Sequence, residues 1–130
     1  MITAAKFVSI PVSDQQRALE FYRDVLGFEV RTDAPYGEEM DSAEGGRWIE
    51  VAPKGAQTGF NLYAADAEGG QAPGGMSPVV FDSDDIVATC EDLKAKGAEV
   101  TVDPAEMPWG WWAQFKDSEG NEFGLGQSWE

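Results

Sequence analysis

Between Lys6 and Val12 the β-branched residues Val8, Ile10 and Val12 alternate with other side chains, which predicts a strand. The period then changes. Asp14 is a good N-cap. After it Ala18, Tyr22, Val25 and Leu26 recur at helical spacing, Leu19 and Phe21 widen the stripe, and Gly27 supplies the stop. Phe28 to Thr32, Arg47 to Val51 and Gly59 to Tyr63 read as the strands that follow. The same order then returns. Ser77 to Asp82, with Val79, Val80 and Phe81, predicts a strand, and a helix opens at Ser83-Asp84-Asp85. Its apolar face is Ile86, Cys90 and Leu93, and Gly97 ends it. Glu99 to Val102, Trp111 to Lys116 and Glu122 to Leu125 are the remaining strands. The helix exits match: Gly27-Phe28-Glu29-Val30 and Gly97-Ala98-Glu99-Val100, 70 positions apart. Turn signals stand at Glu44-Gly45-Gly46, Pro53-Lys54-Gly55, Asp103-Pro104 and Asp117-Ser118-Glu119-Gly120-Asn121.

The pattern is therefore α+β, with two βαβββ modules at about 4–63 and 76–126 and a linker at 64–75 rich in Ala, Gly, Asp and Pro. With 130 residues the chain is expected to form a single domain. Neither half is large enough to bury a full core alone. Two curved mixed sheets set together would enclose a cleft, where a small ligand is expected.

Composition narrows the function. The net charge of −15, from 24 acidic and 9 basic residues, opposes nucleic acid and anionic membranes as partners and attracts a cationic ligand. An acidic surplus also serves simply as a solvated surface. One cysteine, Cys90, excludes an internal disulfide, and its place on the helix stripe reads as a buried structural thiol. The start of the sequence lacks the pattern of a signal peptide and no run approaches the ~20 apolar residues of a membrane span, so a cytoplasmic protein is expected. Histidine is absent, which removes Ser–His and Cys–His chemistry. No Gly-rich strand–helix fingerprint for a nucleotide is present; Gly69-Gly70 and Gly74-Gly75 fall in the linker.

Three stretches together resemble the glyoxalase/bleomycin-resistance/extradiol-dioxygenase superfamily, the vicinal oxygen chelate proteins. They are Ile10-Pro11-Val12-Ser13-Asp14 with Phe21-Tyr22-Arg23-Asp24 and Leu26-Gly27-Phe28; Asp84-Asp85-Ile86 with Leu93-Lys94-Ala95-Lys96-Gly97; and Pro108-Trp109-Gly110 with Asp117 to Asn121, Phe123 and Leu125. Enzymes of that superfamily usually hold one divalent metal, with ligands on the first and last strand of each module. Carried over residue by residue, those positions are Phe7, Asn61, Pro78 (or Ser77, if Asp84 rather than Asp85 caps the helix) and Gly124. The usual His and Glu are missing from all of them, and the amide of Asn61 is a weak transition-metal ligand. The resemblance thus implies no metal and no cofactor, and argues against glyoxalase I or extradiol dioxygenase activity. Glu50 and Glu122 are too few to rebuild a carboxylate site for Mg or Ca.

An aromatic cleft remains. Phe7, Trp48, Asn61, Tyr63, Trp109, Trp111, Trp112 and Gly124 are the candidate ligand-binding residues, with Trp129 near the end of the sequence. Aromatic faces take planar groups and cations. Trp111 and Trp112 are adjacent on a strand, so at most one faces the cleft. For each tryptophan singly, packing in the core or at an interface is the commoner role; Phe21 and Tyr22 are core. The expected function is metal-independent binding of a small aromatic or cationic molecule, as in the antibiotic-sequestering bleomycin-resistance branch. That branch also implies a homodimer with the ligand in grooves shared between chains. The alternative is a lyase-, isomerase- or epimerase-like enzyme of the superfamily that uses Glu50 or Glu122 as base, without metal or with an atypical one. A third reading fills the cleft with the protein's own tryptophans and leaves dimerisation as its role.

Overall fold

The computed structural model describes residues 1–35, 47–64 and 72–128. The Glu44-Gly45-Gly46 turn, most of the linker and Trp129 lie outside the described residues. The chain divides into two compact units, Met1–Pro73 and Gly74–Glu130.

In the first unit β1 (Phe7–Val12) leads to α1 (Gln15–Glu20), then to β2 (Glu29–Pro35), β3 (Arg47–Ala52) and β4 (Gly59–Ala64). The sheet order is β1-β4-β3-β2, with β1 parallel to β4 and the other pairs antiparallel. Asp14 caps α1 as expected, its carboxylate accepting from Arg17 N–H at 3.0 Å. The helix does not end as an α-helix. It widens into a π-helical turn over Phe21–Val25, closed by Leu26 N–H donating to the Phe21 carbonyl at 3.2 Å. Gly27, at φ +73°, then allows Phe28 N–H to reach the Tyr22 carbonyl at 2.9 Å. Gln15 pins the helix to the sheet. Its Nε2 donates to the carbonyls of Arg47 and Leu62, and its Oε1 accepts from Arg47 N–H. Ile10, Val12, Ile49, Val51, Phe60 and Leu62 form the buried layer with Ala18, Leu19 and Tyr22.

The second unit repeats the plan. Its elements are β5 (Gly75–Asp82), α2 (Ile86–Ala95), β6 (Val100–Met107), β7 (Gly110–Lys116) and β8 (Asn121–Ser128), in the order β5-β8-β7-β6 with β5 parallel to β8. Asp85 is the cap of α2, accepting from Ala88 N–H at 3.0 Å. Counting back from that cap places the first-strand position of this unit at Pro78 rather than Ser77. Gly97, at φ +88°, ends the helix, and Ala98 N–H donates to the Leu93 carbonyl. The core joins Ile86, Cys90 and Leu93 to a cluster of Phe81, Phe115 and Phe123, whose ring centroids lie 5.2–6.1 Å apart. Both exit glycines therefore act as the pattern predicts, and so does the buried Cys90.

One expected turn is absent. Asp103-Pro104 does not break the chain; it lies inside β6, where the register with β7 shifts between Val100 and Val102 and again between Val102 and Ala105. Irregular pairing accommodates a proline that a regular ladder would not. The real turn is two residues long, Pro108-Trp109, between the paired Met107 and Gly110. The Asp117 to Asn121 turn forms as expected and is closed by its own side chains. Asp117 accepts from Glu119 N–H, Asn121 N–H and Asn121 Nδ2, while Asn121 Oδ1 accepts from Gly74 N–H.

Candidate functional site

Strand alternation gives each sheet a helix-covered face and an opposite face. In the first unit the register puts Phe7, Ser9 and Pro11 of β1 on the opposite face, with Gly59, Asn61 and Tyr63 of β4 and Trp48 and Glu50 of β3. Four aromatic or polar candidates thus converge on one surface. The Phe7 and Trp48 rings meet edge to face at 5.3 Å. Phe7 stands beside Gly59, while Trp48 lies two residues from Glu50, which pairs with Asn61. The ring contact therefore spans the strand that carries Asn61.

In the second unit the equivalent face carries Val80, Trp112, Gln114, Glu122, Gly124 and Gly126. Trp111 has the other parity and pairs with Gln127, whose Oε1 accepts from Ile86 N–H at the start of α2. Of the two adjacent tryptophans it is Trp112 that stands on the face away from the helix. The Trp112 ring lies over Gly124: a Cβ on Gly124 would sit 2.1 Å from Trp112 Cη2. Trp109, projecting from the hairpin turn and 55% exposed, meets Trp112 edge to face at 5.9 Å and covers Gly126.

A polar chain fixes the Trp112 indole. Its Nε1–H donates to Gln114 Oε1 at 2.9 Å, Gln114 Nε2 donates to Glu122 Oε2 at 2.9 Å, and Thr101 Oγ1 donates to the same oxygen at 2.5 Å. An ionised carboxylate only accepts, so it orients the Gln114 amide, and the amide oxygen is left for an indole that only donates. Gln114 and Thr101 were not among the residues expected from sequence. Gln114 shares strand parity with Trp112 and Glu122, which was the available signal, but the bulge in β6 that brings in Thr101 had none.

The donors from Thr101, then Gln114, hold the Glu122 carboxyl below the ordinary glutamate value of 4.5; burial opposes them less strongly, and Lys116 adds the smallest push downward. That direction is the reverse of what a general base at neutral pH requires. It also has a consequence for acid stability. A folded-state value below the unfolded one means a contribution that is complete above about 4.5 and drains away as pH falls through the lower folded value. The near-ultraviolet circular dichroism of tryptophan is expected to lose a component in that acid window in the wild type, and Glu122→Gln is expected to lack the transition. Identical acid titrations would contradict the Glu122–Gln114–Trp112 connection.

The metal positions can now be tested against their surroundings. Phe7 offers a ring, Pro78 has no donor, and Gly124 has no side chain and no room for one under Trp112. Asn61 alone offers an oxygen. Among the described residues no group of three or more His, Cys, Asp or Glu side chains is placed to hold a metal ion. This donor set does not fit the superfamily's divalent metal.

Comparison with known proteins agrees with the fold. The model of the Glyoxalase/Bleomycin resistance protein/Dioxygenase superfamily matches residues 4–125, and the chain belongs to that superfamily. It is 38% identical over 123 residues to the uncharacterized protein YetH of Bacillus subtilis strain 168, covering 95% of this chain and 97% of YetH. TnmS3, an antibiotic binding protein from Streptomyces sp. CB03234, superposes with a TM-score of 0.84 at 37% identity, over 98% of this chain and 97% of its own. A superfamily member from Sphaerobacter thermophilus DSM 20745 gives 0.86 at 35% identity, over 98% and 99%. Among the described residues no helix is long and apolar enough to cross a membrane.

Proposed function

We propose that this chain binds a small planar aromatic or cationic molecule without a metal ion, and that it does so as an antibiotic-sequestering protein. The observation that carries the reading is the seat of Trp112. Where superfamily enzymes end the last strand with a carboxylate ligand, this chain has Gly124, and the vacated volume holds an indole locked by Gln114 and Glu122. With its N–H occupied, that indole offers a ligand mainly its ring, and Trp109 stands exposed beside it. The likeness to TnmS3 supports the antibiotic class. The reading includes a homodimer, as the resemblance implies, and a cytoplasmic location. Proton transfer by Glu122 is disfavoured by its lowered proton affinity.

Titration with planar cationic dyes, followed by tryptophan fluorescence, is expected to give saturable quenching. Trp109→Ala is expected to weaken it by roughly 3- to 10-fold, the equivalent of an aromatic contact of about 0.5–1.5 kcal/mol. Elemental analysis after dialysis is expected to find no stoichiometric divalent metal. A tightly held equivalent, or a broad panel without saturable quenching, contradicts the reading.

A further inference from the structure

Among the described residues of the first unit two buried side-chain polar atoms lack a hydrogen bond, Arg47 Nε and Asn61 Oδ1, and of these the arginine nitrogen is held in an ion pair with Asp33. Asn61 is 5% exposed, its Nδ2 reaches Ser9 Oγ only at 3.5 Å, and its Oδ1 accepts no hydrogen bond. Buried carbonyl oxygens without a donor are rare and call for an explanation. Glu50 stands directly opposite Asn61 in the β3–β4 ladder, on the same face. Its side chain lies across Gly59, where an added Cβ would come within 3.0 Å of Glu50 Oε2. Among the described residues the Glu50 carboxylate takes part in no ion pair or side-chain hydrogen bond; the nearby Arg47 is engaged by Asp33 and Arg31 by Glu29. One face thus holds, at paired positions, two acceptors that find no side-chain donor among the described residues, and on the same face lie the rings of Phe7 and Trp48.

We infer that Asn61 Oδ1 and the Glu50 carboxylate form the receptor for a protonated amine carried by the ligand, an inference that rests on the binding reading above. An ammonium group has three donors and no acceptor, so it satisfies both oxygens at once and neutralises the carboxylate. A hydroxyl satisfies one oxygen and leaves the charge unpaired. The ring faces of Phe7 and Trp48 favour the same cation. Their single edge-to-face contact over the strand is a weak closure, which an incoming aromatic ring replaces with an equivalent one. The net charge of −15 draws such a ligand in.

The test uses two probes that differ only at the amine, dansylcadaverine and its N-acetyl derivative, with binding followed by fluorescence anisotropy. The wild type is expected to bind the ammonium probe about tenfold more tightly, the value of one charge-assisted hydrogen-bond set. Asn61→Leu and Glu50→Gln are each expected to remove most of that difference and to leave the acetylated probe within about twofold of its wild-type affinity. Glu50 is half-buried and has no side-chain partner among the described residues, so its replacement is expected to leave the fold intact. Asn61→Leu removes an unsatisfied buried group and is expected to raise Tm as it lowers ammonium binding. Equal wild-type affinity for the two probes overturns the amine receptor and leaves the binding reading standing. No binding of either probe overturns both. A preference that persists in both variants places the amine elsewhere and overturns the assignment to Asn61 and Glu50.

Discussion

Gly124→Ala is expected to lower stability by about 1–3 kcal/mol, the usual cost of forcing one extra carbon into a packed site. The new Cβ would stand 2.1 Å from Trp112 Cη2 and 2.6 Å from Cζ2, so the ring has to leave its seat. It cannot tilt freely, because Nε1–H is tied to Gln114 and the ring meets Trp109 in an edge-to-face contact. The variant should therefore lose the Trp112 contribution to near-ultraviolet circular dichroism and weaken the binding of planar dyes, beyond its loss in urea midpoint. Gly124→Glu, which supplies the residue type that superfamily enzymes use, is expected to be worse in stability and to gain no metal binding, since Phe7 and Pro78 still bring no ligand. The decisive comparison is a double-mutant cycle. If Trp112 is the obstacle, Trp112→Ala with Gly124→Ala should recover part of the loss, with a coupling of about 0.5–3 kcal/mol. Additive losses, or a Gly124→Ala protein as stable as the wild type with unchanged tryptophan signals, would contradict the seat.

The seat was only half legible in the sequence. Gly124 is recognised as a replaced ligand through the resemblance to the superfamily, and the adjacency of Trp111 and Trp112 requires them to part to opposite faces. Which of them turns away from the helix depends on the β7–β8 register, which no local pattern fixes; Gln127 reaching α2 assigns Trp111 to the helix side. The helices and their stops were readable because caps and positive-φ glycines act locally: Asp14, Asp85, Gly27 and Gly97 all hold their expected roles. The π-helical turn after Glu20 and the course of β6 through Pro104 were not. The first is an irregularity in helical hydrogen bonding and the second an irregularity in strand pairing, and no local signal in the sequence marks either. The polar chain from Thr101 to Trp112 belongs to the same group, for it exists only where a bulge brings Thr101 beside Glu122.

The Pro108-Trp109-Gly110 element, read from sequence as a superfamily mark, has a mechanical basis that leads to the other large effect. Gly110→Ala is expected to destabilise by about 3 kcal/mol, combining an overpacked contact with a backbone region that only glycine enters readily. Gly110 sits at φ +153°, and an added Cβ would come 2.2 Å from the Gln127 carbonyl oxygen and 3.1 Å from Ser128 Cα. Both are backbone atoms of β8, so no rotamer change relieves the clash; either β7 separates from β8 at its first pair or the hairpin reopens. The consequence reaches the site because Trp109 projects from this turn. Its ring covers Gly126 and meets Trp112, and displacement of the turn removes that contact without touching either side chain. Gly110→Ala should therefore mimic Trp109→Ala in dye binding while differing from it in stability, since Trp109 is largely exposed and its removal should change the urea midpoint little. Amide hydrogen exchange offers the check: protection at Gln127 and Ser128 should fall in Gly110→Ala and persist in Trp109→Ala. Retained protection together with wild-type dye affinity in Gly110→Ala would mean that the turn does not position Trp109.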